Sequence, residues 1–417
     1  MIKTAMKRKL TYALMALMGL ATLTGCDEED FTKAYDEKKS LDLPFLFSED
    51  YQDTIVYAYD LPTPATDWQG MVRDDVKVCK LSIPGTHDTM TGMGFYQPVL
   101  NYVFNITSIS QLSTLEQQMA SGIRFFDLRP VVSIDTLATD PKEKKILRMA
   151  HGISEINITF EETIDQMQHY LKAHPTEFFI FKMQADNGME NQSNWSTLLW
   201  KVMSKDKYNG LFVADWHPAI TVGEMRGKIL VLSHFDLRPL IGAFNFPAVY
   251  GAWPDEDPDV QEKLNPEAQR SCGIYKMSNS NDNAPDATLY MQDYFKSNNE
   301  VRMKNKQQTV IDMMRSAREA TASDDNIWII NHCSAYTEVS PRGYITNAAN
   351  IHPLVIDNLL KNEGTVGIMP MDIACHDYVH CIINGGSPYT SDYLYGFRPM
   401  SQSLTNLLIK SNKSYFK

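Results

Sequence analysis

With 417 residues, 43% of them hydrophobic and 22% charged, the chain has an ordinary globular composition and enough apolar material for a large core, as one large α/β domain or two smaller ones. Its formal net charge of -12 argues against a protein that holds nucleic acid or coats anionic membranes by bulk electrostatics, so an anionic substrate has to be met by local cations.

The amino terminus reads as a targeting segment: Lys3, Lys7, Arg8 and Lys9 precede an apolar run from Tyr12 to Leu23 that is too short to span a bilayer. Together with Leu23-Thr-Gly-Cys26 it resembles a bacterial lipoprotein signal with its lipobox. That resemblance implies removal of residues 1–25, lipidation of Cys26 and residence in the bacterial cell envelope as an outer-membrane lipoprotein. The acidic Asp27-Glu-Glu-Asp30 resembles the surface-export signals of Bacteroidetes lipoproteins. A plain secretory peptide or an anchor helix is the alternative reading of the same residues. Residues 26–70, polar and carrying Pro44, Pro62 and Pro64, read as the lipidated N terminus and a tether, and residues 71–417 as the domain.

Beyond the tether, buried strands are expected at Val76 to Ile83, Ile123 to Leu128, Phe178 to Met183, Ile229 to Leu232, Ile327 to Ile330 and Val366 to Met371, alternating with helices. Thr159 with Glu162 forms a capping-box pattern, Ile164, Met167 and Leu171 share one face, and Pro175 follows the end. Pro353 is expected to open a second helix carrying Leu354, Ile356, Leu359 and Leu360, with Gly364 as its stop. Trp200 shares a helical pattern with Leu198, Leu199, Val202 and Met203 and is expected in the core. Cys79, Cys272, Cys333, Cys375 and Cys381 lack the close spacing of a zinc or redox site, so no structural metal is expected; a Cys375 to Cys381 disulfide, or one through Cys272, stays open.

Chemistry concentrates where strands end. Leu81-Ser-Ile-Pro-Gly-Thr-His-Asp88, Gly122-Ile-Arg-Phe-Phe-Asp-Leu-Arg129 and Met149-Ala-His-Gly152 each close an apolar stretch with groups that move protons or hold an anion. His87, Asp127, Arg129, Lys182, Asn331 and Asp372 all fall at predicted strand C-termini, the rim on which a β/α barrel gathers its catalytic groups. A doubly wound open sheet more often shows a Gly-rich first turn, which is missing here.

These segments, with His151-Gly152, Phe181-Lys182 and Gly367-Ile-Met-Pro-Met-Asp372, resemble in order the signatures of the bacterial phosphatidylinositol-specific phospholipases C, over residues 75 to 395. The resemblance implies a distorted, incompletely closed (β/α) TIM barrel. It also implies a two-step cleavage in which the inositol 2-hydroxyl attacks the phosphate, releasing diacylglycerol and a cyclic 1,2-phosphate. In that scheme His87 is the general base and Asp372 orients it. His151 is the general acid, with Asp88 and Asp127 as supporting carboxylates. Arg129 takes the place of the acidic metal ligand of the calcium-dependent relatives, so no metal and no cofactor are expected. Lys182 matches a lysine near the inositol site, and Asp293 the aspartate that accepts from ring hydroxyls.

The match loosens at the head group. Phe295 stands where those enzymes carry a tyrosine for the inositol to stack on, with Tyr294 beside it as a substitute. The arginine that follows the Lys228-Ile-Leu-Val-Leu232 strand in relatives is His234 here, with Arg238 four residues on. The segment Met90 to Tyr102 is the expected rim that meets lipid. Two other readings stay open: the same chemistry on another hydroxylated phosphodiester, such as an inositol-phosphate sphingolipid or a glycerophosphodiester, or a catalytically silent barrel that binds glycans or head groups. The expected partner is a phospholipid interface and not nucleic acid, and a monomer is the default.

Overall fold

The computed structural model describes residues 65–96, 107–135, 139, 144–184, 194–214, 216–233, 244–245, 272–277, 287–338, 341–383 and 393–417. Cys26, His234 and Arg238 lie outside the described residues, as does the stretch 97–102 of the expected rim.

The strands are β1 (Ile83–Thr86), β2 (Phe125–Leu128), β3 (Pro130–Ile134), β4 (Lys145–His151), β5 (Ser154–Thr159), β6 (Phe179–Met183), β7 (Ile229–Ser233), β8 (Phe244–Asn245), β9 (Cys272–Met277), β10 (Ala287–Gln292), β11 (Ile327–Asn331), β12 (Ile368–Met371), β13 (Val379–Ile383) and β14 (Tyr393–Phe397). The helices are α1 (Leu115–Ala120), α2 (Phe160–Ala173), α3 (Trp195–Met203), α4 (Val222–Met225), α5 (Glu300–Ala322), α6 (Pro341–Lys361) and α7 (Ser401–Ser411).

A nine-stranded sheet runs β8-β7-β6-β2-β1-β12-β11-β10-β9, so the last parallel strand, β12, pairs with the first, β1, while β8 and β9 form its two ends. Among the described residues the order is that of a barrel left open between β8 and β9. Its neighbours are parallel except β9, which runs antiparallel to β10. An antiparallel sheet β3-β4-β5 is inserted after β2, and β13 and β14 form a separate hairpin.

Alternation along the strands explains where the site forms. Ile83, Phe125, Ile180, Leu230, Leu289, Ile330 and Ile368 fill the space inside the curled sheet together with Trp68, Val72, Val76 and Val78. Their alternates, such as Phe126, Phe179, Phe181, Val231 and Met369, pack against the outer helices. Asp127 and Lys182, paired in register, are two residues past Phe125 and Ile180 and share their face. Gly85 opposes Phe125, and a Cβ there would come within 2.8 Å of the phenyl ring, so the glycine is required by the ring beside it.

Five expectations are corrected. The stretch Val76 to Ile83 is no single strand: Val78–Lys80 is a 3-10 turn and only Ile83 onward joins the sheet, because Val76, Val78 and Leu81 pack under the sheet's interior. Helix α6 opens at Pro341 and runs through Pro353, whose missing N–H is offset by the buried Ile351, Val355 and Ile356 around it. Trp200 is 44% exposed, since α3 buries the row Trp195, Leu199 and Met203 and leaves its neighbouring row in solvent. The tether ends before residue 70: Trp68 is fully buried in the turn Ala65–Met71 and its indole donates to Gly122 O at 3.0 Å. Met90, expected at a lipid-facing rim, is also a core residue.

The Thr159–Glu162 capping box is formed as expected, each side chain bonding the other's backbone N–H. Cys375 carries a free thiol, 2.9 Å from Ser121 Oγ, so a Cys375 to Cys381 disulfide is not present.

Candidate active site

His87 follows β1 directly, and its backbone is fixed by the neighbouring strand: His87 N donates to Met371 O, while the Gln111 amide donates to both His87 O and Met371 O at 2.8 Å. This clamp aligns His87 with Asp372, one residue past β12. His87 Nδ1 lies 2.9 Å from Asp372 Oδ1, and the other carboxylate oxygen accepts from Ala335 N at 3.2 Å. Both junctions are strained, with Asp88 at φ 45° and the β-branched Ile373 at φ 53°, a conformation that persists only where surrounding contacts impose it.

Burial and the Arg129 charge push the His87 ring well below its ordinary pKa. Burial and the neighbouring Asp88 push the Asp372 carboxyl well above its own. The imidazole therefore stands unprotonated at neutral pH and able to accept a proton, with the Asp372 carboxyl beside its Nδ1.

Asp88 joins the two halves of the site. Its Oδ2 lies 3.2 Å from His87 Nε2 and 3.1 Å from His151 Nε2, while its Oδ1 lies 2.6 Å from Arg129 Nε. His151 arrives from the end of β4, in the inserted antiparallel sheet, and its Nδ1 is 2.7 Å from Ser108 O. A carbonyl can only accept, so Nδ1 carries the proton and Nε2 faces Asp88.

Arg129 Nη2 reaches Asp127 Oδ2 at 2.9 Å and His87 Nε2 at 3.1 Å. Burial alone would raise the Asp127 carboxyl, but the Arg129 and Lys182 charges outweigh it and hold Asp127 well below the usual carboxylate range. Among the described residues His87, Asp88 and Asp127 are a group whose ligand atoms could converge on a metal ion, within 4.8 Å of one another. The Arg129 guanidinium contacts all three, so a divalent cation would have to displace a fixed cation.

The expected head-group residues divide. Lys182 is 2% exposed beside Asp127. Asp293, just past β10, is kept ionised: burial opposes its charge, but His332 and Lys182 hold it below the usual range. Tyr294 is 1% exposed and points into the packing, so it is not the substitute aromatic; Phe295, 38% exposed and 6.3 Å from the Tyr336 ring, is the one presented at the surface. Asn331 is also internal, its amide bonded to Gln292 and to Val310 O.

Two residues escaped the sequence reading. His332 is fully buried, its ring centroid 6.0 Å from that of His87. It follows β11 as His87 follows β1 and Asp372 follows β12, which is the signal that was available. Tyr344, on α6, brings its ring within 6.3 Å of His151, and nothing in the sequence marks it.

No protein-family model matches the chain. A 1-phosphatidylinositol phosphodiesterase of Listeria monocytogenes is 28% identical over 188 residues, covering 44% of this chain and 54% of that protein. One of Staphylococcus aureus strain Newman is 24% identical over 172 residues, covering 40% of this chain and 50% of that protein. The chain thus matches about half the length of these curated relatives. Among solved structures, a phosphatidylinositol-specific phospholipase C from Staphylococcus aureus superposes with a TM-score of 0.59 at 17% identity, over 82% of this chain and 97% of that one. The enzyme from Listeria monocytogenes gives 0.54 at 20% identity, over 84% and 99%. Homologues and structural neighbours are therefore bacterial phosphatidylinositol-specific phospholipases C, and the chain shares their TIM-barrel-like α/β fold.

Proposed function

We propose that this chain is a metal-independent phosphodiesterase that cleaves phosphatidylinositol, or the glycosylphosphatidylinositol anchors that contain it, to diacylglycerol and inositol 1,2-cyclic phosphate. The observation that carries the reading is the arrangement around Asp88: two histidines on one carboxylate oxygen, with Arg129 on the other. A binding protein needs the cation but has no use for two poised imidazoles.

In the proposed reaction the phosphate engages Arg129, which frees His87 Nε2 for the inositol 2-hydroxyl. His87 takes that proton as the oxygen attacks phosphorus, and Asp372 stabilises the imidazolium. His151, protonated at Nε2, delivers its proton to the departing glycerol oxygen, so that diacylglycerol leaves neutral and the cyclic phosphate keeps one negative charge. Names of the relatives and the shared fold support the substrate class. Phe295 in place of the stacking tyrosine favours a second reading, the same chemistry on another hydroxylated head group.

The address belongs to the same proposal: a signal peptide over residues 1–25, a lipid on Cys26 and a monomer held at the outer membrane, as in Bacteroidetes surface lipoproteins. Cys26→Ser should move the protein from the membrane pellet to the soluble fraction.

Phosphorus NMR of phosphatidylinositol micelles with the full chain in EDTA tests the activity. A cyclic phosphate resonance should grow, and His87→Ala should slow it by about 10²–10⁴-fold. Turnover only after calcium is added would overturn metal independence, and no turnover under either condition would sink the phosphatidylinositol reading.

A further inference from the structure

Residues 292–294 and 332–334 form one braced unit. Lys306 Nζ, buried on α5, donates to Gln292 Oε1 at 3.2 Å, His332 O at 2.6 Å and Ser334 O at 2.9 Å. The Gln292 side-chain amide in turn donates to Asn331 Oδ1 and His332 O, both at 2.8 Å, and its Oε1 also accepts from Tyr294 N at 2.6 Å. Asp293 is the centre of one strand-end turn and His332 begins the other.

Between them the His332 ring has two faces of contact. Nδ1 lies 3.1 Å from Ser334 Oγ and 3.8 Å from Asp293 Oδ1, and the ring stands nearly perpendicular to that of His87. Nε2 is buried without a hydrogen-bond partner among the described residues. An imidazole with an unpaired nitrogen is an unfavourable core filler, since a phenylalanine would occupy the space without that loss. Burial lowers its pKa to about 4, so the ring is neutral and carries a single proton; with two oxygens facing Nδ1, that is where the proton belongs. The 3.8 Å separation is too long for a hydrogen bond, and the N–H dipole acts on Asp293 as an electrostatic guide.

We infer that His332 is a positioning residue for head-group recognition, which aims the Asp293 carboxylate. The inference rests on the function proposed above. His332 is fully covered, so it acts through Asp293 and not by touching substrate.

Initial rates on phosphatidylinositol micelles test it with the full chain. His332→Phe should raise KM roughly tenfold with kcat changed less than about threefold, and His332→Asn, whose amide nitrogen replaces Nδ1, should restore KM to within about threefold. On an Asp293→Asn background His332→Phe should add less than about twofold, because the group it aims is gone. The control is His352→Asn, a buried histidine bonded to Pro399 O and Ser401 outside the site, which should leave KM unchanged. An unchanged KM in His332→Phe, or an undiminished effect on the Asp293→Asn background, overturns the inference while phosphatidylinositol turnover by the wild type keeps the functional reading. If the phenylalanine variant does not fold, His332→Asn is compared with His332→Gln, whose amide nitrogen falls at Nε2. Equal KM values for those two overturn it. A wild type that does not turn over phosphatidylinositol overturns both.

Discussion

Arg129 is the residue on which the electrostatics of the site turn. Its guanidinium spans Asp88, Asp127 and His87 Nε2, and its charge is what keeps Asp127 ionised and helps keep His87 neutral. A lysine at this position would bring one compact ammonium, unable to hold two carboxylates and still present a flat donor face to phosphate. Arg129→Lys should therefore lower kcat on phosphatidylinositol by about 10²–10³-fold in a folded protein, the loss typical of removing one donor from a developing oxyanion. A loss below about threefold would show that the guanidinium does not meet the phosphate. The residues of this constellation were legible in sequence because each follows an apolar run. His87, Asp88, Asp127, Arg129, His151 and Asp372 do converge as expected. Tyr294 was misplaced because alternation past a strand end cannot tell which of two adjacent aromatics turns inward. Tyr344 was invisible because a helix packed across the rim contributes it from far along the chain.

At the level of elements, buried parallel strands announce themselves by short apolar runs, and β6, β7, β11 and β12 fall within a residue or two of their expected bounds. The errors lie where an apolar run has a different partner. Val76 to Leu81 packs under the sheet as a turn, and α6 has two prolines, of which only the first opens it. The glycine in Ile83-Pro-Gly-Thr-His-Asp88 has a mechanical reading that sequence could not supply. Its position on β1 faces the Phe125 ring, and an added Cβ would meet that side chain at 2.8 and 2.9 Å, including its own Cβ, which cannot rotate away. Gly85→Ala should destabilise the fold by about 1–3 kcal/mol through overpacking. It should also lower activity, because β1 can relieve the contact only by shifting His87. Urea unfolding and turnover of the same preparation check this, and a stability change below about 0.5 kcal/mol with full activity would show that β2 yields instead.

For the whole molecule, α6 and α7 pack on each other, and α7 lies against β1. His352 of α6 sits at that junction, fully buried, with Nδ1 3.1 Å from Pro399 O and 3.0 Å from Ser401 Oγ at the start of α7. Burial lowers its pKa to about 3, against an unfolded value near 6.5. The unfolded chain therefore takes up a proton below pH 6.5 that the native state refuses until about pH 3, so the native state loses ground as pH falls through this window. The slope is about 1.4 kcal/mol per pH unit for this one group, and its stabilising contribution is complete above pH 6.5. Site carboxylates titrate in overlapping ranges, so the contribution is isolated by difference. His352→Asn keeps a donor for Pro399 O and removes the titration. Its urea-unfolding free energy should drop by about 2 kcal/mol less than the wild type's between pH 6.5 and pH 4.5. Parallel pH dependences for the two proteins would mean that the unfolded chain gains no proton the native state lacks, and that His352 is protonated at the α6–α7 junction.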